Sequence, residues 1–440
     1  MSHRLRGTLG ALVAIALLTR VILAARRALD GGAADYVAFA TGARVVASGS
    51  RCLYCLPQQT AAQVAVLGYR PPPPAPGFPA PYANPPLAAW LLQPLAARPL
   101  AQALPLFVAA MVAALLIAGL LLARLLSSRP QPGRSRTRAT PRVLVALACL
   151  SLPGATAILL GQWDPLILLG LALALAALAS HRDLLAGLAA SVIFLKPQLG
   201  ILLGVALLLT GRRRLIGGFG LGVVIWTAST LLLIGPGGVA QWGRYVDARL
   251  GPQATFARGL AGLAAAAGGS ARAVELTGLV IGAALVVAGV VFRDRLRADP
   301  EVALALGVAA SLCCTPHVFS DDMLLLAPAL VVWGVRRARQ AAFAALALNL
   351  AFLLDEYVLP DRAQRLEGVV ALAIVLGLAA ALRPGAGDPG PGPAASPAVL
   401  PEQPGPSSDP HNGRAPSHSW SLSACPLASL RLPSRSPASP

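Results

Sequence analysis

The sequence predicts an all-α protein that crosses a membrane many times. Three observations carry this reading. The 440 residues are 56% hydrophobic and only 12% charged, about half the charge of an ordinary soluble domain. Apolar stretches recur from residue 8 to residue 383, each close to the roughly 17–25 residues a spanning helix needs. The arginines gather in short clusters between those stretches, the pattern by which a membrane protein fixes its orientation. For that reason the net charge of +18 does not point to a nucleic-acid partner.

The clusters are Arg4 and Arg6; Arg129, Arg134, Arg136, Arg138 and Arg142; Arg212 to Arg214; Arg293, Arg295 and Arg297; and Arg336, Arg337 and Arg339. Placed together in the cytoplasm, they must be separated by even numbers of crossings. Residues 8–25 cross outward as a retained first helix: Arg20 interrupts the run and no cleavage site follows. Residues 26–85 form a long outer segment, in which 36–49 read as an amphipathic helix lying on the membrane surface. Residues 86–99 are short and proline-rich, and read as interfacial or re-entrant. Residues 101–126 return to the arginine-rich loop. Residues 143–160 and 165–180 make a hairpin. Residues 184–210 make a second one, whose turn falls at Lys196-Pro197 because proline disfavours helix in the residue before it. Residues 215–234 go out, 235–271 form a second outer loop and 273–292 return. Four further stretches, 300–316, 323–335, 341–358 and 366–382, complete about twelve crossings with both termini inside. The membrane domain thus covers 1–383. Residues 384–440, rich in Pro, Ser, Gly and Ala, read as a disordered cytoplasmic tail.

Cys149, Cys313 and Cys314 lie in apolar stretches and behave as small hydrophobes, while Cys425 is in the tail. Cys52 and Cys55 form a lone Cys-x-x-Cys with no second pair to complete a zinc site. They read as a local disulfide or two free thiols.

With the topology set by arginines alone, the polar residues collect on the outer face. Asp35 and Tyr36 follow the first helix. Tyr82 and Asn84 return to the membrane. Gln162 and Asp164 make the first hairpin turn, and Lys196 the second. His317, Asp321 and Asp322 make another. Ionisable groups at such depth are costly and favour function. Lys196 is the only lysine in the chain. A compact cation on a flexible stem suits a phosphate, or a charge snorkelling to the interface. Arg20 in the first helix has the same two readings. Asp35 reads as a catalytic acid or base, with Asp30 as a weaker rival, or as the cap of the following helix. His317, at a turn after Pro316, reads as a phosphate contact or a helix cap. Asp321 and Asp322 precede a helix, and one of them reads as its cap or as a functional group; Gln162 and Asn84 read as local hydrogen-bonding groups or functional ones.

In order along the chain, Asp35-Tyr36 with its helix, Gly49, Leu53-Tyr54, the stretch Phe78 to Pro86, Gly161-Gln162, Ala186-Gly187, Lys196-Pro197, Thr315-Pro316-His317 and Asp322-Met323-Leu324 resemble glycosyltransferase family 87, the polyprenol-phosphate-mannose-dependent mannosyltransferases. The resemblance spans roughly residues 8–380. The chain departs from it in Trp163-Asp164, in the proline run Pro71–Pro74 and in the Cys52/Cys55 pair. The resemblance implies the multi-spanning glycosyltransferase C fold and an active site on the outer face of a bacterial plasma membrane. It implies transfer of a hexose, mannose in the family, from a polyprenyl phosphate to a glycolipid or glycan acceptor. Asp35 would be the base of an inverting displacement. Lys196, Arg20 and His317 would meet the phosphate, and Tyr36, Tyr82, Asn84, Gln162 and Asp322 would orient the sugars. The resemblance singles out no cofactor, and a divalent cation is compatible with this chemistry. A secondary transporter or flippase is the competing class. It would place ionisable groups on broken helices at mid-membrane and would not need a long outer segment that opens on an acid.

Overall fold

The computed structural model describes residues 3–69, 82–128, 139–253, 257–358 and 366–381. The proline run Pro71–Pro74, the loop carrying Arg134, Arg136 and Arg138, and the tail 384–440 lie outside the described residues. Every element is helical: α1 (His3–Arg27), α2 (Ala34–Ala47), α3 (Leu56–Leu67), α4 (Pro86–Leu91), α5 (Gln93–Ala96), α6 (Leu100–Ser128), α7 (Ala139–Cys149), α8 (Leu152–Leu160), α9 (Asp164–Ala179), α10 (Asp183–Ala190), α11 (Gly200–Leu209), α12 (Arg213–Gln253), α13 (Gly262–Ala266), α14 (Ala271–Val291), α15 (Arg293–Ala298), α16 (Pro300–Cys314), α17 (Ala327–Leu353) and α18 (Leu366–Ala381). There is no strand among the described residues. That is the economy a bilayer imposes, since a helix satisfies its own backbone groups where water cannot.

Among the described residues, four stretches are long and apolar enough to cross a membrane: Leu100–Ser128, Arg213–Ala248, Ala271–Val291 and Asp321–Tyr357. Six shorter apolar stretches accompany them. The expected crossing at 143–160 is two helices, because the chain breaks before Ser151, whose side chain caps α8 by accepting from the Gly154 N–H. The stretches 323–335 and 341–358 form one run, kinked at Arg337. Along α14, Leu279, Val280 and Val291 are exposed. So contiguous an apolar face belongs against lipid rather than water.

Inside the bundle, small residues let backbones approach. Gly187 of α10 and Gly218 of α12 sit where a Cβ would collide with the opposing backbone, the small-residue contact by which membrane helices pack. α10 and α11 are joined through two 3₁₀ turns, Ser191–Leu195 and Pro197–Leu199, with Lys196 non-helical between them. The hairpin turn therefore falls at the expected residue.

Two expectations for the outer segment need correction. α2 does not lie on a surface. Tyr36, Phe39, Thr41, Ala43 and Val45 are buried, because α3, α4 and α5 pack over it. Nor is 235–253 a loop: α12 breaks at Gly235 (φ 67°) and continues to Gln253. That continuation grips the outer segment. The Trp242 Nε1–H donates to the Ala83 carbonyl at 2.9 Å, and its ring lies nearly parallel to that of Tyr54, 5.7 Å away. Gln241 Nε2 sits 2.8 Å from the sulfur of Cys55, which is joined to Cys52 in a disulfide.

Candidate active site

The turns that the arginine pattern assigns to one face meet in space. At the start of α2, Asp35 stands half-buried. Facing it is the end of α8, which closes on Gly161 with φ +74°. A Cβ at Gly161 would lie 2.9 Å from Cβ of Tyr36 and 3.3 Å from that of Ala33. Only glycine supplies both this left-handed turn and this closeness. The close approach delivers the next residue: Gln162 Nε2 donates to Asp35 Oδ2 at 2.8 Å.

Beside this pair lies a buried ionic cluster. The Lys196 ammonium contacts Asp164 Oδ2 at 2.8 Å, Asp321 Oδ2 at 3.3 Å and Asp322 Oδ1 at 2.6 Å. All four side chains are at most 9% exposed. Asp164 comes from the first turn of α9, and Asp321 and Asp322 from the 3₁₀ turn Asp321–Leu326 that leads into α17. An ammonium has three N–H donors, and here each has a carboxylate. Asp322 Oδ2 also accepts the Phe319 N–H at 2.7 Å. The three acids bring oxygens within 4.8 Å of one another, a spacing that suits a divalent cation. Lys196 already provides the positive charge at that point.

The cluster acts on Asp35. Burial, and then the charge of Asp321, push the Asp35 carboxyl up to about 6; Lys196 and the Gln162 hydrogen bond pull it partly back. A carboxylate poised there exchanges protons near neutral pH, as a general base must. His317 moves the other way: burial lowers it to about 4, so near neutrality it is an uncharged imidazole.

A family model for glycosyltransferase family 87 matches residues 82–316, just over half of the chain. The chain belongs to glycosyltransferase family 87. No curated protein and no solved structure gives a significant match. The match encloses Gln162, Asp164 and Lys196 of this glycosyltransferase and ends one residue before His317; Asp35, Asp321 and Asp322 lie outside it.

Among the residues singled out in the sequence, the structure brings together Asp35, Gln162, Lys196 and Asp322. Several roles change. Lys196 holds three carboxylates and has no N–H left for a phosphate in this arrangement. Asp322 has both oxygens engaged and is 1% exposed, so it braces the cluster rather than facing a sugar. Tyr82 is fully buried under Gly42 and Tyr54, and its hydroxyl donates to the Pro85 carbonyl at 2.5 Å. It shapes the outer segment from inside. Asn84 is half-buried, and its carbonyl accepts the Tyr54 hydroxyl. Tyr36 packs its ring on Phe107, on a different side of α2 from Asp35. Arg20 is exposed on α1.

Two members of the cluster stood at the expected turns without a role in it: Asp164 carried no assigned role, and Asp321 was read as a helix cap. A second buried polar group was not anticipated at all. Arg258 Nη2 contacts Glu356 Oε1 at 2.6 Å, and the Ser320 hydroxyl lies 2.8 Å from Glu356 and 3.2 Å from Glu367. The only signal was acids bordering an apolar stretch. Ser320 precedes Asp321, so this group adjoins the ionic cluster and fixes the turn that carries it.

Proposed function

We propose that this glycosyltransferase moves a hexose from a polyprenyl phosphate to a glycolipid or glycan hydroxyl on the non-cytoplasmic face. Mannose is the sugar that the family resemblance implies. The observation that carries the reading is Asp35: half-buried, oriented by Gln162 and raised to about 6. As the base it accepts the proton of the acceptor hydroxyl while that oxygen attacks the anomeric carbon from the face opposite the leaving group. The bond from the anomeric carbon to the phosphate oxygen breaks, and polyprenyl phosphate leaves with its electron pair. The configuration inverts, as a single displacement with one carboxylate requires. Gln162 holds the carboxylate in place. Lys196 acts through Asp321 and Asp322, keeping the cluster assembled and tempering its negative field at Asp35. His317, neutral, offers the departing phosphate a hydrogen bond, and Arg20 a charge reaching from α1.

The test is a membrane assay with labelled polyprenyl phosphate mannose and a panel of glycolipid acceptors. The wild-type chain should transfer label with inversion, and Asp35→Asn, expressed to the same level, should not. Transfer by Asp35→Asn at the wild-type rate would remove Asp35 as the base. Label that moves only from a nucleotide sugar would remove the lipid donor.

A further inference from the structure

A second charged recess lies on another side of α2. Tyr36, Ala40 and Arg44, spaced four residues apart, form one stripe of this helix. Together with Leu95, Arg98 and Ala103 they line a small cleft of about 30 Å³ that is partly open to solvent. Successive helical residues diverge by about 100°, so Asp35 and Tyr36 leave α2 in different directions, and the cleft is separate from the reacting carboxylate. Its polar equipment is cationic and incomplete. The Tyr36 side chain is 1% exposed, yet its hydroxyl has no hydrogen-bond partner. Leaving such a buried group unpaired costs about 1–3 kcal/mol. Burial raises this phenol to about 12, so it stays protonated and can donate. Arg44 spends one N–H on the Ala65 carbonyl and keeps others, and Arg98 is exposed at the rim.

We propose that this cleft binds the phosphate of an anionic membrane lipid. Two guanidinium groups and a phenolic O–H are donors suited to a phosphate diester. The surroundings favour a lipid as its carrier. The cleft opens where α6, a helix long enough to span a membrane, begins. Trp90, Leu91 and Leu106 nearby expose large apolar surfaces, with the tryptophan of the kind found at headgroup depth. The sugar donor is excluded as occupant because its phosphate must lie beside the anomeric carbon, on the Asp35 side. The exclusion of the donor rests on the proposed reaction, whereas a lipid seated here would brace α2 whatever Asp35 does.

The experiment measures binding of dihexanoyl phosphatidylglycerol to the purified full-length protein in a neutral detergent, with dihexanoyl phosphatidylcholine and inorganic phosphate as comparisons. Phosphatidylglycerol should bind at least about tenfold more tightly than phosphatidylcholine. Arg98→Gln, at an exposed residue that the fold does not need, should weaken it by about tenfold, the loss of a charge-assisted contact. Tyr36→Phe, which deletes only the hydroxyl, should weaken it a few-fold, and Asp35→Asn should leave it unchanged. Equal affinity in Arg98→Gln and wild type would overturn the site. Displacement by inorganic phosphate at equal concentration would make it a free-anion site and overturn the lipid. Lost binding in Asp35→Asn would fold the cleft into the catalytic centre and overturn the separation. None of these outcomes depends on sugar transfer, so failure here is distinguishable from failure of the proposed reaction.

Discussion

Asp35 and Lys196 sit in one neighbourhood and feel each other's charge, yet they are held in opposite ways. Lys196 is buried and saturated: three donors meet three carboxylates from two distant stretches of chain. Asp35 is half-buried and held by a single side-chain amide. A saturated buried ion pair resists change, because removing one partner strands the others in a medium that solvates them poorly. A carboxylate with one hydrogen bond and partial access to solvent can gain and lose a proton. In the proposed mechanism the contrast separates the group that assembles the site from the group that reacts in it.

The largest effect is expected at Asp35. In Asp35→Asn the base is gone while the Gln162 contact can survive, so kcat should fall by about 10²–10⁴-fold with little change in melting temperature. At Lys196 the expectation reverses. Lys196→Met keeps the length of the stem and deletes the charge, leaving three acids uncompensated. It should destabilise the fold by about 3–5 kcal/mol, read as a lowered melting temperature in detergent and a reduced yield. If Lys196 instead served mainly as a phosphate ligand, the variant would melt normally and show only a raised KM for the lipid donor. That result would erase the contrast.

How much of this the sequence disclosed follows from which signals are local. Positive-inside clusters and apolar lengths are local, and they were enough to put 161–164, 196 and 317–322 on one face, where the structure has them meet. The ends of α6, α9 and α14 fall within a few residues of the expected ones for the same reason. The turn at Lys196-Pro197 is also local, set by the proline. The partners of Lys196 are not. Asp164 is 32 residues away, and Asp321 is 125; nothing in either neighbourhood says that three acids will close on one amine. The burial of α2 depends likewise on α3, α4 and α5, and an isolated amphipathic pattern cannot distinguish a membrane surface from a protein one. Tyr82 shows the same limit: a tyrosine at the expected interface looks like a ligand until Gly42 is found beneath its ring.

An intermediate effect tests the joint between the two regions. Gly161→Ala places a methyl 2.9 Å from Cβ of Tyr36 and forces a non-glycine residue to φ +74°. Strain of this kind costs about 1–3 kcal/mol. Because the residue moved is the neighbour of Gln162, activity should fall more than stability does, up to about 10²-fold for a displacement near 1 Å. An active, normally melting Gly161→Ala would mean that the Gln162 contact does not need this close approach.

The smallest effect is also the most specific, because it carries a sign. In the proposed mechanism transfer requires the Asp35 carboxylate, so kcat/KM should decline below a midpoint near 6, tenfold for each further pH unit. The Gln162 hydrogen bond favours the charged form, and the charge of Asp321 opposes it. Gln162→Leu should therefore move the midpoint upward and lower the rate a few-fold at pH 6, while Asp321→Asn should move it downward. Opposite displacements from two substitutions on different turns are hard to obtain from general damage, which would depress the whole profile without shifting it. If both variants shift the limb the same way, or neither does, the titrating group is not Asp35, and the division between an assembling lysine and a reacting aspartate fails with it.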